Sequence, residues 1–125
     1  MILGTGVDII EIARIKRSID RYGKHFINRI FTPAEIAYCS TKTTAIIHYA
    51  ARFAAKEAVS KALGTGFQQG VGWRDIEVIH NDLGKPSIQL ADHLNLQFSY
   101  PQILISLSHS KENAIAFALW QQEPL

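Results

Sequence analysis

Arg52-Phe53-Ala54-Ala55-Lys56-Glu57-Ala58-Val59-Ser60-Lys61-Ala62-Leu63-Gly64 is the stretch on which the fold turns. Its alanines favour helix, and Gly64 stands where such a helix takes its C-cap. Alanine on most sides of a helix lets other backbone come close. Lys56, Glu57 and Lys61 therefore belong near a packed surface rather than in open water. Glu57 and Lys61 are four residues apart and share a helical face. A carboxylate and an ammonium side by side at the edge of a core can coordinate a metal and neutralise a phosphate. The plainer reading is a surface ion pair worth ~0.3–0.5 kcal/mol. Spacing alone leaves both open.

Working outward, the helix is predicted over residues 45–63, followed by a glycine-rich loop over 64–72. Upstream, Phe31-Thr32-Pro33-Ala34-Glu35-Ile36 is a helix start: Thr32 is the N-cap, Pro33 is N1 and Glu35 closes a capping box, with Phe31 and Ile36 able to form a hydrophobic staple. That helix should run to about residue 39 or 40. Residues 2–8 read as a strand in which Gly4 and Gly6 permit close backbone approach. Residues 11–22 read as an amphipathic helix, with Ile12, Ile15, Ile19 and Tyr22 on one face and Arg14, Arg17, Arg21 and Lys24 on another, ending at Gly23. Residues 73–79 alternate like a strand. The turn at 81–86 returns the chain as a hairpin over 87–90. Residues 91–98 are weakly helical, and 103–108 and 114–120 are two further strands. A helical first half with an antiparallel second half makes the class α+β.

The 125 residues are 47% hydrophobic and 19% charged, which fits a single domain over residues 1–125. A chain of this size buries roughly two thirds of its unfolded surface, so its core is modest and self-association would help it. A net charge of +2 is too mild to imply nucleic acid. The lone Cys39 excludes an internal disulfide and a cysteine zinc site. No segment reaches the ~18 apolar residues needed to span a bilayer, and the first residues lack a basic start and a small-residue cleavage site. The expected compartment is the cytoplasm, without a membrane partner.

Asp8 follows the first strand and precedes a helix. It is either an N-cap or a ligand for a hard cation, which takes one or two carboxylates and completes its shell with water and substrate phosphates. Asp8 with Glu57 would supply two. Ser106-Leu107-Ser108-His109-Ser110 closes a strand with hydroxyls and an imidazole. It lacks a Gly-x-Ser-x-Gly elbow, so a hydrolase triad is weakly supported; phosphate contacts or an ordinary polar turn suit it equally. Gly84-Lys85-Pro86 alone is a hairpin turn. His25, His48, His80 and His93 have no ligand spacing and read as structural or solvated. The stripe of Arg14, Arg17, Arg21 and Lys24 is a solvated face or a docking surface.

Gly6-Val7-Asp8, then Phe53-Ala54-Ala55-Lys56-Glu57-Ala58 with Lys61, then Gly84-Lys85-Pro86, then Ser106-Leu107-Ser108-His109-Ser110 occur in an order and spacing that resemble the holo-acyl-carrier-protein synthases, the small bacterial 4′-phosphopantetheinyl transferases. The resemblance runs from about residue 2 to 120. It implies a homotrimer with an active site in each cleft between subunits. The implied reaction moves 4′-phosphopantetheine from coenzyme A to a serine of apo acyl carrier protein, in fatty acid biosynthesis, with Mg²⁺ held by Asp8 and Glu57 and with Lys61 beside them. It further implies that Arg52, Gly64, Lys85, Pro86, Ser108, His109 and Ser110 contact coenzyme A, with Arg52 and His109 near its 3′-phosphate. The carrier protein would dock on Arg14, Arg17, Arg21 and Lys24. One departure is Ser40-Thr41-Lys42-Thr43-Thr44, which carries a single positive charge where many relatives are more basic. The competing readings are a non-catalytic binder of coenzyme A or carrier protein, which has no need of a two-carboxylate site, and an RNA-binding protein, for which no motif is present.

Overall fold

The computed structural model describes residues 1–122. In chain order the elements are β1 (Ile2–Glu11), α1 (Ile12–Tyr22), α2 (Lys24–Ile30), α3 (Pro33–Ser40), α4 (Ala45–Leu63), β2 (Ile76–His80), β3 (Pro86–Leu90), α5 (Asp92–Gln97), β4 (Gln102–His109) and β5 (Asn113–Gln121), with a 3-10 turn at Trp73–Asp75. Three strands form an antiparallel sheet in the order β1-β5-β4, and β2 pairs with β3 as a separate hairpin. The class is α+β, and α4 lies on one face of the larger sheet against β1 and β5.

Small residues make that contact. β5 turns Ala114, Ala116 and Ala118 inward, all fully buried, and α4 presents buried Ala54, Ala55, Ala58 and Ala62. On β1, a β-carbon at Gly6 would stand 2.0 Å from the Ala58 carbonyl oxygen, and one at Gly4 2.0 Å from that of Ala62. Backbone meets backbone here, as the two glycines suggested. Gly6→Ala is therefore expected to cost roughly 1–3 kcal/mol or more, read as a lower urea midpoint. An unchanged midpoint would mean that α4 stands off the strand.

The other anchor of α4 is ionic. Lys56 is 0% exposed. Its Nζ pairs with Glu35 Oε1 at 2.7 Å and donates to the carbonyls of Trp73 and Ile76. Burial pulls the Lys56 ammonium below its ordinary value, against the opposing pull of Glu35. Glu35 Oε1 also accepts from Thr32 N at 2.9 Å, while Oε2 accepts from Val78 N at 2.8 Å. The capping box expected at Thr32 and Glu35 is present. One carboxylate thus starts α3, neutralises Lys56 and holds β2. A buried pair with its remaining donors and acceptors satisfied is the arrangement in which desolvation is offset.

The structure departs from expectation in four places. β1 continues past Asp8 to Glu11, and α1 begins at Ile12 with no side-chain cap, so Asp8 is a strand residue and not an N-cap. α2 has no counterpart in the sequence periodicity: Gly23, at φ 55°, ends α1 and starts a second short helix, which takes Lys24 off α1. Trp73–Asp75 is a 3-10 turn rather than strand, because Asp75 Oδ2 accepts from Gly72 N at 2.8 Å and curls the chain. The larger sheet is not confined to the second half, since its edge strand β1 comes from the first eleven residues.

Candidate active site

The alternation of β1 aims Asp8. Gly4, Gly6, Asp8 and Ile10 face α4, while Thr5, Val7 and Ile9 face outward. Two strand residues rise about 6.6 Å and four helix residues about 6 Å, so β1 and α4 stay in step as Gly4 meets Ala62 and Gly6 meets Ala58. Asp8 is the next inward residue and meets the polar face of α4.

Lys61 Nζ donates to Asp8 Oδ1 at 3.1 Å and to the Val7 carbonyl at 3.1 Å. The Asp8 side chain is 15% exposed and that of Lys61 50%. The Lys61 partner is thus Asp8, fifty-three residues away, rather than Glu57 one turn away on the same helix. Glu57 is half-buried beside them. Burial pushes its carboxyl above the usual value, the Asp8 charge adds to that rise, and Lys61 and Arg14 pull the other way. Asp8 and Glu57 are therefore within each other's electrostatic reach, with Lys61 bonded to the first and acting on the second, and with Arg14 of α1 also acting on Glu57. Among the described residues no group of three or more His, Cys, Asp and Glu side chains is disposed to hold a metal. Two carboxylates are what Mg²⁺ takes when substrate phosphates and water complete its shell, so the donor set fits that ion.

The Ser-His-Ser segment lies elsewhere. Ser108 aligns with Ile115 on β5, and Ile115 with Ile9 on β1, so Ser108 belongs to the outward face. A cavity of about 240 Å³ there is lined by Ile9, Ser108, His109, Ser110, Asn113 and Ile115. Asp8 and Ser108 thus sit on opposite faces of one sheet. Gly64 ends α4 at φ 81°, a left-handed conformation, with open space where a β-carbon would be. Lys85 closes the β2–β3 turn, donating its N–H to Asn81 Oδ1 at 2.9 Å, and Pro86 opens β3. Arg52 is buried by Tyr38, His48 and His80. Gly64 donates its N–H to the Lys61 carbonyl at 3.0 Å as the cap of α4; among the described residues, no side-chain hydrogen bond or ion pair joins Arg52, Gly64, Lys85, Pro86, Ser108, His109 or Ser110 to Asp8, Glu57 or Lys61. Arg14, Arg17 and Arg21 are exposed on α1 and Lys24 on α2; the α1 ion pair is Lys16–Asp20. The reach of Arg14 to Glu57 had no signal in the helical pattern, because it depends on how α1 folds back over α4.

Residues 4–118 match the 4′-phosphopantetheinyl transferase superfamily, and the chain belongs to it. Individual members narrow the comparison. The holo-[acyl-carrier-protein] synthase of Protochlamydia amoebophila is 50% identical over 120 residues, spanning 96% of this chain and 98% of that protein. The crystal structure of holo-[acyl-carrier-protein] synthase from Neisseria meningitidis matches with a TM-score of 0.91 at 34% identity, covering 98% of this chain and 100% of that one. That of the Helicobacter pylori holo-[acyl-carrier-protein] synthase in complex with coenzyme A matches with a TM-score of 0.84 at 32% identity, covering 94% and 99%. Among the described residues no helix is long and apolar enough to cross a membrane.

Proposed function

We propose that this chain is a holo-[acyl-carrier-protein] synthase, working as one 4′-phosphopantetheinyl transferase domain over residues 1–125. It transfers 4′-phosphopantetheine from coenzyme A to a serine hydroxyl of apo acyl carrier protein and releases adenosine 3′,5′-bisphosphate, as part of fatty acid biosynthesis in the cytoplasm. The observation that carries this reading is the Asp8–Lys61 contact with half-buried Glu57 beside it.

In this reading the serine oxygen attacks the β-phosphorus of coenzyme A, and the bond to the bridging oxygen of the pyrophosphate breaks. Such transfers are accelerated mostly by positioning and by stabilising the charge that accumulates. Asp8 and Glu57 would hold a Mg²⁺ ion, which would supply Lewis-acid charge there when bound. Lys61, half-exposed and already bonded to the strand, brings its ammonium to the departing phosphate. The serine proton needs a base; the raised carboxyl of Glu57 makes it this chain's own candidate. Gly64, Lys85, Pro86, Ser108, His109 and Ser110 are the proposed coenzyme A contacts, with Arg52 and His109 at the 3′-phosphate.

These groups need a second subunit. The outward face of the larger sheet is apolar and open: Val7 is 59% exposed, Ile9 61%, Leu104 53% and Phe117 42%. An apolar patch of this kind marks an interface. A homotrimer covers it and brings the outward Ser108–Ser110 segment of one copy toward the inward carboxylates of the next. Sedimentation is expected to show a trimer. A stable, active monomer would contradict the shared cleft.

The exposed arginines of α1 suit an acidic carrier protein, and charge pairing there speeds encounter and sets orientation. Arg17→Ala with Arg21→Ala is expected to weaken carrier binding roughly two- to tenfold at low salt and to flatten its salt dependence. Arg14 is left out because it also acts on Glu57. Unchanged affinity would return the stripe to a solvated face. The function itself is tested by incubating the protein with coenzyme A, Mg²⁺ and apo carrier protein, then weighing the carrier by mass spectrometry. Gain of the phosphopantetheine arm is expected. No gain, with coenzyme A still bound, would leave a non-catalytic binding module.

A further inference from the structure

In the loop between α4 and β2, Gln69 holds φ 55° and Gly70 follows at φ 82°. A residue with a β-carbon takes that left-handed conformation only where its surroundings hold it there. α5 supplies the hold. His93 Nε2 lies 3.1 Å from the Gly70 carbonyl oxygen and 3.3 Å from Asp75 Oδ2. Both are acceptors, so that ring nitrogen carries the hydrogen. Gln97, four residues on and on the same helical face, donates from Nε2 to the Gln69 carbonyl at 3.3 Å. The Asp75 carbonyl in turn accepts from Ala91 N, the N-cap of α5, at 2.9 Å. The short helix thus clasps the segment over 69–75 at both ends.

What the clasp positions is aromatic. Phe67, inside the loop, stacks on Trp73 with ring centroids 3.7 Å apart, and Trp73 stacks on Phe53 of α4 at 4.8 Å. All three rings are only partly buried. Phe53 stands four residues before Glu57 and eight before Lys61, so these three side chains share one face of α4. The stack is therefore an apolar wall running on from the carboxylate. Val71, fully buried, plugs the loop into the core. Phe67 lies on the far side of the Gln69–Gly70 bend from that plug, so the bend sets where its ring stands.

We propose that His93 and Gln97 are positioning residues, which fix the bend at Gln69 and Gly70 and so hold the Phe67–Trp73 wall against the pantetheine arm of coenzyme A. This rests on the coenzyme A reading above, in which the diphosphate sits at Asp8 and Glu57. The arm leaves that diphosphate as a slender chain of methylenes and amides. A flat ring surface shields one side of such a chain from water and leaves its amides free to turn outward. Neither His93 nor Gln97 touches the reacting atoms. Their side-chain bonds go to the loop and to Asp75, so their effect is confined to the arm and does not reach the nucleotide end.

Steady-state transfer assays on the Mg²⁺-loaded full chain test this. His93→Ala with Gln97→Ala is expected to raise the KM for coenzyme A roughly three- to tenfold and to leave kcat within about twofold. The inhibition constant of adenosine 3′,5′-bisphosphate, which lacks the arm, should not move. His93→Gln, which keeps a donor in that place, should stay near the native KM where His93→Ala does not. A loss of fold alone would weaken both ligands together. A native KM in the double variant, equal weakening of coenzyme A and the bisphosphate, or a His93→Gln as impaired as His93→Ala overturns the clasp. In each of those cases normal transfer by the native chain leaves the enzymatic reading standing. If the native chain neither binds coenzyme A nor transfers its arm, both fail.

Discussion

Glu57→Gln is expected to lower transfer by on the order of 10³-fold or more at saturating Mg²⁺ and coenzyme A, while the chain folds normally. The substitution keeps the shape of the side chain and removes one of the two charges proposed to hold the ion at the diphosphate. Glutamine also cannot accept the serine proton. Folding should not suffer, because ionised Glu57 is itself a burden on the ligand-free protein. Its carboxyl is raised by burial and by Asp8, so the protonated form is favoured in the folded state. Such a group adds stability below its unfolded value and loses it as pH rises through the folded one. Near pH 7 the neutral glutamine should therefore match or slightly exceed the native urea midpoint, with the gap closing in acid. Turnover assays and urea titrations on one preparation read both effects. Normal turnover in the variant would remove Glu57 from the site.

Lys56→Met is expected to act on the other quantity. Methionine fills the space of the lysine stem but leaves Glu35 ionised and enclosed, with only the Thr32 and Val78 amides for company. The carbonyls of Trp73 and Ile76 lose their donor as well. Removing one partner of a buried pair costs about 3–5 kcal/mol, a large share of the ~5–15 kcal/mol that holds a domain together. Melting should fall by roughly ten degrees or more. Glu35→Gln in the Lys56→Met background should recover part of the loss, since a neutral amide needs no counter-charge. A single variant as stable as the native chain would show that the pair is solvated.

Much of the fold was legible because it rests on local chemistry. The bounds of α4, its Gly64 cap and the Thr32–Glu35 box follow from side chains within a few residues of each other. Gly4 and Gly6 announced a close approach, and it is real. What escaped is long-range. Glu35 read as a capping residue, and nothing nearby said that the same carboxylate would meet Lys56 twenty-one residues later. Lys61 had a ready partner in Glu57 by spacing, yet the strand offers Asp8. α2 is short and follows a glycine whose positive φ no periodicity announces. His48 and His80 read as structural or solvated because they lack metal-ligand spacing, whereas their common neighbour is Arg52, which no local pattern announces.

Titrating Mn²⁺, a paramagnetic stand-in for Mg²⁺, into the protein with coenzyme A present, and following it by electron paramagnetic resonance, reads the carboxylate pair most directly. The native chain should hold one ion per site, and Asp8→Asn and Glu57→Gln should each weaken it at least about tenfold. Native affinity in either variant would contradict a shared ion at the meeting of β1 and α4.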